Sequence, residues 1–330
     1  MVLFSSAHFG VAPGHAFDPQ HKFITSWLVS PAALAGIRAL LALYALCATC
    51  TILGFYVSSG EGKSFLSYFS ELSYIGLAAY YCAAAVQTAA YARWGRYPLR
   101  CWPRALQALH VVLQSTVGTF PFIVTVVFWV LLASSKSFDS TYHSALRSFV
   151  FVFWGAVAYH CTLSCCHYPL SSWLSHIPTP SLPPLTHSRA AWSNITLHAL
   201  NSAFALFELL LTNAPPAPWR TLPLHLAILA AYLGVAYITH ATQGFYTYAF
   251  LDPANGGGRL AAYIVGIAAG ECVVFLLARG AVVLRQRATV AVRAGQDDDA
   301  PRAVQEPHES VEGVEKQHSA FGEKAVAQVV

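Results

Sequence analysis

Six long apolar runs set this chain apart from soluble folds. They cover residues 33–57, 66–91, 106–133, 192–211, 222–239 and 260–284. A bilayer core about 30 Å thick is crossed by about 20 residues of helix, so each run is long enough to span it. The chain is 56% hydrophobic and only 10% charged, whereas soluble domains carry about 25% charged residues. The sequence therefore predicts an all-α polytopic transmembrane bundle of about six spans.

The positions of the basic residues indicate an orientation. The loop after the second run and the end of the last run hold Arg93, Arg96, Arg100 and Arg104, and Arg279, Arg285, Arg287 and Arg293. Cytoplasmic loops are enriched in such residues, and six spans place both clusters on the side of the N-terminus. Seven spans would separate them. We therefore expect a cytoplasmic N-terminal segment (1–28), a transmembrane domain (29–285) and a disordered, acidic cytoplasmic tail (286–330).

The connector 134–191 is unusually long and holds one ambiguous segment. Residues 148–166 begin apolar and then become polar and cysteine-rich, so they either span the membrane or lie at its interface. The cysteines and histidines at its end favour palmitoylation over a metal site, because no second cluster of similar quality exists. We expect neither a metal nor a cofactor. The net charge of +4 comes from short basic segments, which is typical of membrane loops and not of a nucleic-acid-binding surface.

Ionisable residues at membrane depth are costly and are candidates for function. The main candidates within or next to the apolar runs are Glu71, His198, Glu208, His240 and Glu271. His110 and His225 lie nearer the ends of their runs, and we expect them at the interface. A proton or substrate path along these residues would indicate a transporter, but no inverted repeat supports this alternative.

Ser70 and His198 form the leading candidate pair. Ser64, Ser67, Ser70 and Tyr74 recur at helical spacing and so share one face of the second run. In a six-span layout the second and fourth runs enter the membrane from the same side, with Ser70 and His198 each about 6–9 Å deep at 1.5 Å per residue. A hydroxyl and an imidazole at one level favour a nucleophile and its base. Alternatively, Ser70 lies in a helix–helix seam and His198 makes a structural hydrogen bond.

Four stretches of the chain carry a recognisable set of motifs. They are Tyr68-Phe69-Ser70 with Leu72, Ala78 and Tyr80-Tyr81; Phe120-Pro121 with Val127-Phe128-Trp129; Trp192 with His198 and Glu208; and His240 with Thr242, Gly244, Tyr248, Phe250, Leu251 and Asp252. In their order and spacing these motifs resemble those of the androgen-induced protein family of multi-pass membrane hydrolases. The resemblance covers residues 52–252, apart from the connector. Ala249 stands where the family has proline, and one residue is inserted near Gln243.

The resemblance implies six helices and metal-free hydrolysis of fatty acid esters of hydroxy fatty acids. The family's threonine nucleophile falls on Ser70 and its histidine on His198, so both are expected to be catalytic. Glu71, Glu208 and His240 are possible supporting residues. The expected partners are membrane lipids and a lipid ester, and the expected location is the endoplasmic reticulum, the wider endomembrane system or the plasma membrane. The alternative from another class is a non-catalytic lipid-binding or scaffold protein with the same fold.

Overall fold

A computed structural model describes residues 16–132 and 192–299. Within these ranges the chain is helical, has no strand, and contains one isolated bridge between Ser26 and Thr212. The all-α prediction is therefore confirmed. The ambiguous segment 148–166 lies outside the described residues.

Seven α-helices follow one another along the described chain. They are α1 (Pro31–Ser58), α2 (Phe69–Trp94), α3 (Arg104–Val117), α4 (Phe120–Val127), α5 (Asn201–Leu211), α6 (Leu222–Gln243) and α7 (Gly257–Asp299). A π turn, Phe128–Leu132, continues α4, and a second, Thr196–Leu200, precedes α5. Short 3₁₀ turns occupy Lys22–Ile24, Gly62–Ser67, Pro98–Cys101, Trp219–Thr221, Ala249–Leu251 and Pro253–Asn255.

Five helical segments of the described chain are long and apolar enough to cross a membrane. They are Pro31–Ser58, Arg104–Leu132, Trp192–Leu211, Trp219–Gln243 and Gly257–Ala291. The chain is thus an integral membrane protein. The one predicted span that is missing from these five is the second, which corresponds to α2. This helix has 26 residues but is less apolar than the five segments above. It contacts α1, α3 and α4, and a helix surrounded by protein needs less apolar surface than one that faces lipid.

Local sequence signals explain where the helices begin and end. The Ser30 side chain accepts a hydrogen bond from the Ala33 N–H, and Pro31 occupies the first turn of α1, where a missing N–H costs nothing. Gly95 and Gly244 end α2 and α6 in left-handed conformations, with φ of 66° and 80°, which glycine adopts without strain. These caps account for the sharp turns between neighbouring helices.

The main core lies where α1, α2 and α5 meet. Ala42, Ala45 and Ala48 are buried along one face of α1 and pack with Tyr74 and Leu77 of α2. Small residues let two helix backbones approach closely, which is a common way to join helices within a bilayer. This close contact fixes α2, and with it the residues of its first turn.

The last helix is longer than the sequence predicts. The chain divides into two compact units, Met1–Gln286 and Arg287–Val330. Helical backbone begins at Gly257 and continues to Asp299, beyond the end of the last apolar run. No proline occurs between Pro253 and Pro301. The alanine, arginine and glutamine residues that follow the last apolar run also favour helix.

Candidate functional site

Ser70 lies in the first turn of α2, directly after the extended residue Tyr68. Its hydroxyl donates a hydrogen bond of 2.5 Å to Oε2 of Glu71. The other carboxylate oxygen, Oε1, accepts one of 3.1 Å from the Tyr56 hydroxyl. The positive end of the helix dipole also favours a carboxylate at this position. The sequence-predicted nucleophile is therefore bound to its neighbouring acid.

His198 lies in the π turn before α5. Its imidazole stacks on the ring of Phe128, with centroids 3.8 Å apart and planes at 5°. Phe128 itself begins the π turn that continues α4, so two irregular turns meet at this contact. Single π turns within α-helices often mark functional sites, and no periodicity in the sequence predicts them.

A side chain of α4 fixes the backbone of the histidine turn. The Thr125 hydroxyl donates a 2.5 Å hydrogen bond to the carbonyl of His198. One turn on, the Ser202 hydroxyl donates to the Pro121 carbonyl at 3.0 Å. These two bonds join α4 to the His198 segment and hold the imidazole against Phe128.

Ser70 and His198 line the same two neighbouring cavities. The first, here called the apolar chamber, has a volume of about 190 Å³ and is walled mainly by α4, α6 and α7, including Ile123, Val127, Leu226, Leu229, Leu233 and Ile267. The second, the polar chamber, has about 340 Å³ and is also lined by Tyr56, Tyr68, Glu71, Asn194, Thr247 and Tyr248. The two candidate residues thus stand where an apolar space meets a polar one.

The hydroxyl and the imidazole are not hydrogen-bonded to each other. Within the described ranges, the Ser70 hydroxyl donates its hydrogen bond to Glu71, and Nδ1 of His198 is buried without a hydrogen-bond partner. Proton transfer to His198 therefore requires the Ser70 hydroxyl to turn away from Glu71.

The remaining sequence-predicted residues lie elsewhere. Glu208 is buried and paired with Arg38, whose Nε lies 3.3 Å from Oε2, and it also accepts a 2.7 Å hydrogen bond from the Tyr80 hydroxyl. His240 stacks on Tyr246, with centroids 3.9 Å apart, and lines neither chamber. Of the three possible supporting residues, only Glu71 adjoins Ser70.

A second polar cluster was missed at the sequence level. His225 is fully buried within the protein, because side chains of α3 and α7 cover the first turn of α6. Its Nε2 lies 2.8 Å from the Ser115 hydroxyl and its Nδ1 lies 2.9 Å from Oε1 of Glu271. This has the connectivity of a Ser–His–acid relay. However, the adjoining cavity measures only about 20 Å³, which is room for about one water molecule and not for a lipid. His110 is buried as well, beside Tyr80.

Tyr68 and Tyr248, which line the polar chamber, remain protonated phenols. Burial raises the pKa of Tyr68, and the charges of Glu71 and Glu61 add to that effect. Burial also raises the pKa of Tyr248 well above its ordinary value, with further contributions from Tyr232 and Glu71. Each hydroxyl therefore keeps a proton that it can donate at neutral pH.

Comparisons with protein-family models, with curated proteins and with solved structures give no significant match to this chain.

Proposed function

We propose that this integral membrane protein is a lipid ester hydrolase in which Ser70 is the nucleophile and His198 the base. The observation that carries the proposal is that Ser70 and His198 line both the apolar and the polar chamber. A hydroxyl and an imidazole with a partner-free nitrogen on the wall of one cavity are the minimal set of groups for acyl transfer.

The two chambers suit the two parts of a lipid ester. An acyl chain favours the aliphatic walls of the apolar chamber, since burying each CH₂ contributes about 0.8 kcal/mol. The ester group and the hydrolytic water favour the polar chamber, where hydroxyl groups of tyrosine and threonine face them. Ser70 stands at their boundary, where the carbonyl carbon of such a substrate would lie.

The reaction proceeds in two balanced steps. First, Ser70 Oγ bonds to the carbonyl carbon while its proton passes to His198, and the ester C–O bond then breaks as His198 returns that proton to the departing alcohol. Second, water attacks the acyl–Ser70 ester and gives a proton to His198, after which the C–Oγ bond breaks and Ser70 recovers its proton. The products are a carboxylic acid and an alcohol, with no external oxidant or reductant.

Glu71 holds the Ser70 hydroxyl in the resting site. The 2.5 Å bond must open before the hydroxyl proton reaches His198, which a rotation about the Ser70 Cα–Cβ bond achieves. Binding of the ester in the polar chamber is the event that selects this second rotamer.

The resemblance to the androgen-induced protein family points to fatty acid esters of hydroxy fatty acids as substrates. These lipids consist of two long chains joined by one internal ester, in keeping with a nucleophile set at the edge of an apolar space. Lipid metabolism in the endoplasmic reticulum, another endomembrane or the plasma membrane, with both termini in the cytoplasm, belongs to the same proposal.

A covalent serine probe tests the nucleophile. Purified full-length protein in detergent is treated with a fluorophosphonate, and the labelled peptide is identified by mass spectrometry. We expect the label on Ser70 and its loss in Ser70→Ala. Ser73→Ala is the matched control, since Ser73 is the next serine on α2 and lines a different cavity.

Each other outcome has a defined meaning. A label on Ser115 would assign the chemistry to the cluster with His225 and overturn the Ser70 assignment. A folded wild-type protein that neither takes up the label nor cleaves a hydroxy-fatty-acid ester would favour the non-catalytic alternative.

A further inference from the structure

Among the described residues, Tyr248 is the third polar one, after Ser70 and His198, that lines both chambers. It lies between α6 and α7, and its ring stacks on Phe250 with centroids 5.2 Å apart and planes at 2°. It also contacts Tyr68 and Tyr232, at centroid distances of 6.0 and 6.3 Å. A phenol held on three sides by aromatic rings has little freedom to move.

The Tyr248 hydroxyl is anchored at the start of the nucleophile's helix. Its oxygen accepts a 3.3 Å hydrogen bond from the N–H of Phe69, the residue before Ser70. Tyr248 is the acceptor in this bond, and in the resting site it donates its own proton to the Tyr232 hydroxyl. A substrate oxygen next to Ser70 would replace that hydroxyl as the acceptor. The anchor therefore places an O–H donor beside the first turn of α2.

The first turn of α2 supplies a second donor. The N–H groups of Phe69, Ser70 and Glu71 precede the first intrahelical bond, which Leu72 makes to Tyr68, so none has an i−4 carbonyl within α2. The positive end of the helix dipole lies at the same place. Negative charge that develops next to Ser70 Oγ is thus stabilised by the backbone of the nucleophile's own residue.

We propose that the Tyr248 hydroxyl and the Ser70 backbone N–H form the oxyanion site of this hydrolase. The inference rests on the proposed function and extends it to the atoms that receive the developing charge. When Ser70 Oγ bonds to the carbonyl carbon, the carbonyl π electrons move to oxygen, and both donors hydrogen-bond to that oxygen without transferring a proton. Collapse of the intermediate returns the electrons and expels the alcohol.

The neighbouring Tyr232 shows what a structural tyrosine does here. Its hydroxyl donates to the Ser67 carbonyl at 3.0 Å, so its proton holds the turn before α2 in place. The Tyr248 hydroxyl, in contrast, accepts from the Phe69 N–H, and its proton goes to the Tyr232 hydroxyl and not to a backbone carbonyl. This difference separates the proposed chemical role from a packing role.

Removing the single oxygen of Tyr248 tests the proposal. Loss of one oxyanion donor lowers kcat by about 10²–10³-fold, and we expect this loss in Tyr248→Phe with KM within about twofold of wild type. Affinity for a boronic acid, which forms a tetrahedral adduct with Ser70, falls by a similar factor. Affinity for a non-cleavable ether analogue of the substrate stays unchanged. Tyr246→Phe, whose ring stacks on His240 away from both chambers, is the matched control.

The outcomes separate this inference from the proposed function. If the wild type hydrolyses the ester and Tyr248→Phe keeps its kcat and its boronate affinity, the oxyanion role is wrong and the hydrolase remains. If Tyr248→Phe loses boronate and ether-analogue affinity equally, the residue shapes the cavity and the inference also fails. A wild type without hydrolysis or boronate binding overturns both.

Discussion

Glu208 offers the sharpest test of how this bundle is held together. The sequence suggested it as a support for His198, but it is bound to Arg38 and Tyr80. Arg38 has no exposed surface and Glu208 is 3% exposed. The third guanidinium nitrogen, Nη1, donates to the Phe23 carbonyl at 2.9 Å and to the Thr88 hydroxyl at 2.7 Å. One ion pair thus joins α1, α2, α5 and the segment before α1.

Removing one partner of such a pair leaves a buried charge without compensation. We expect Glu208→Ala to lower the free energy of unfolding by about 3–5 kcal/mol, since Arg38 loses both of its bonds to the carboxylate and Tyr80 loses one. Tyr80→Phe keeps the ion pair and removes one hydrogen bond, which costs about 1 kcal/mol. Replacing both charges in Arg38→Met/Glu208→Leu is expected to recover at least about 2 kcal/mol relative to Glu208→Ala, because apolar side chains of similar volume tolerate the site.

The assay is unfolding of the purified protein in mixed micelles with increasing dodecyl sulfate, followed by circular dichroism. Ester hydrolysis is measured on the same samples and should survive in the double variant, since Glu208 does not contact His198. A double variant no more stable than Glu208→Ala would refute the argument from uncompensated charge. Loss of hydrolysis in a stable double variant would restore Glu208 to the catalytic site.

Three further predictions concern the candidate site and the stability of the fold. Glu71→Gln, whose amide oxygen still accepts from Ser70, should keep more kcat than His198→Gln; the reverse order would make Glu71 the base. Gly244→Ala should lower the free energy of unfolding by about 1–2 kcal/mol, since φ is +80° with open space around the added Cβ, and an unchanged midpoint in dodecyl sulfate would contradict this. Burial, followed by the charge of Asp18, raises the pKa of Tyr97, so this phenol stabilises the fold fully below about pH 10 and less as the pH rises above it. Tyr97→Phe should therefore reduce the loss of stability between pH 9 and 11, and an identical loss in both proteins would refute it.

The fold was predictable because lipid imposes simple rules on sequence. Long apolar runs indicated α1, α6 and α7, and the same rule placed residues 106–133 in one span, which the structure divides into α3, α4 and a π turn. The break follows from Gly118 and from Pro121 in the first turn of α4. The sequence alone does not tell a broken span from a continuous one, since the bilayer requires only total length.

The partners of the buried polar residues were less predictable. Equal depth on two helices was enough to expect Ser70 and His198 near each other, and both line the same chambers. The depth of a residue in the membrane does not reveal in which direction its side chain points around the helix axis. It therefore did not show that Ser70 donates to Glu71 or that Glu208 faces Arg38. The burial of His225 was not predictable for a related reason, because distance from the end of a run does not reveal which helices cover that end.

Hydrolysis of a fatty acid ester of a hydroxy fatty acid by the purified full-length protein tests the central claim most directly. Wild type, Ser70→Ala, Ser70→Thr and Ser73→Ala are compared at equal amounts of folded protein. We expect release of free fatty acid by wild type, Ser73→Ala and Ser70→Thr, the last because threonine retains the hydroxyl, and none above background by Ser70→Ala. Equal release by wild type and Ser70→Ala would contradict the assignment of Ser70 as the nucleophile.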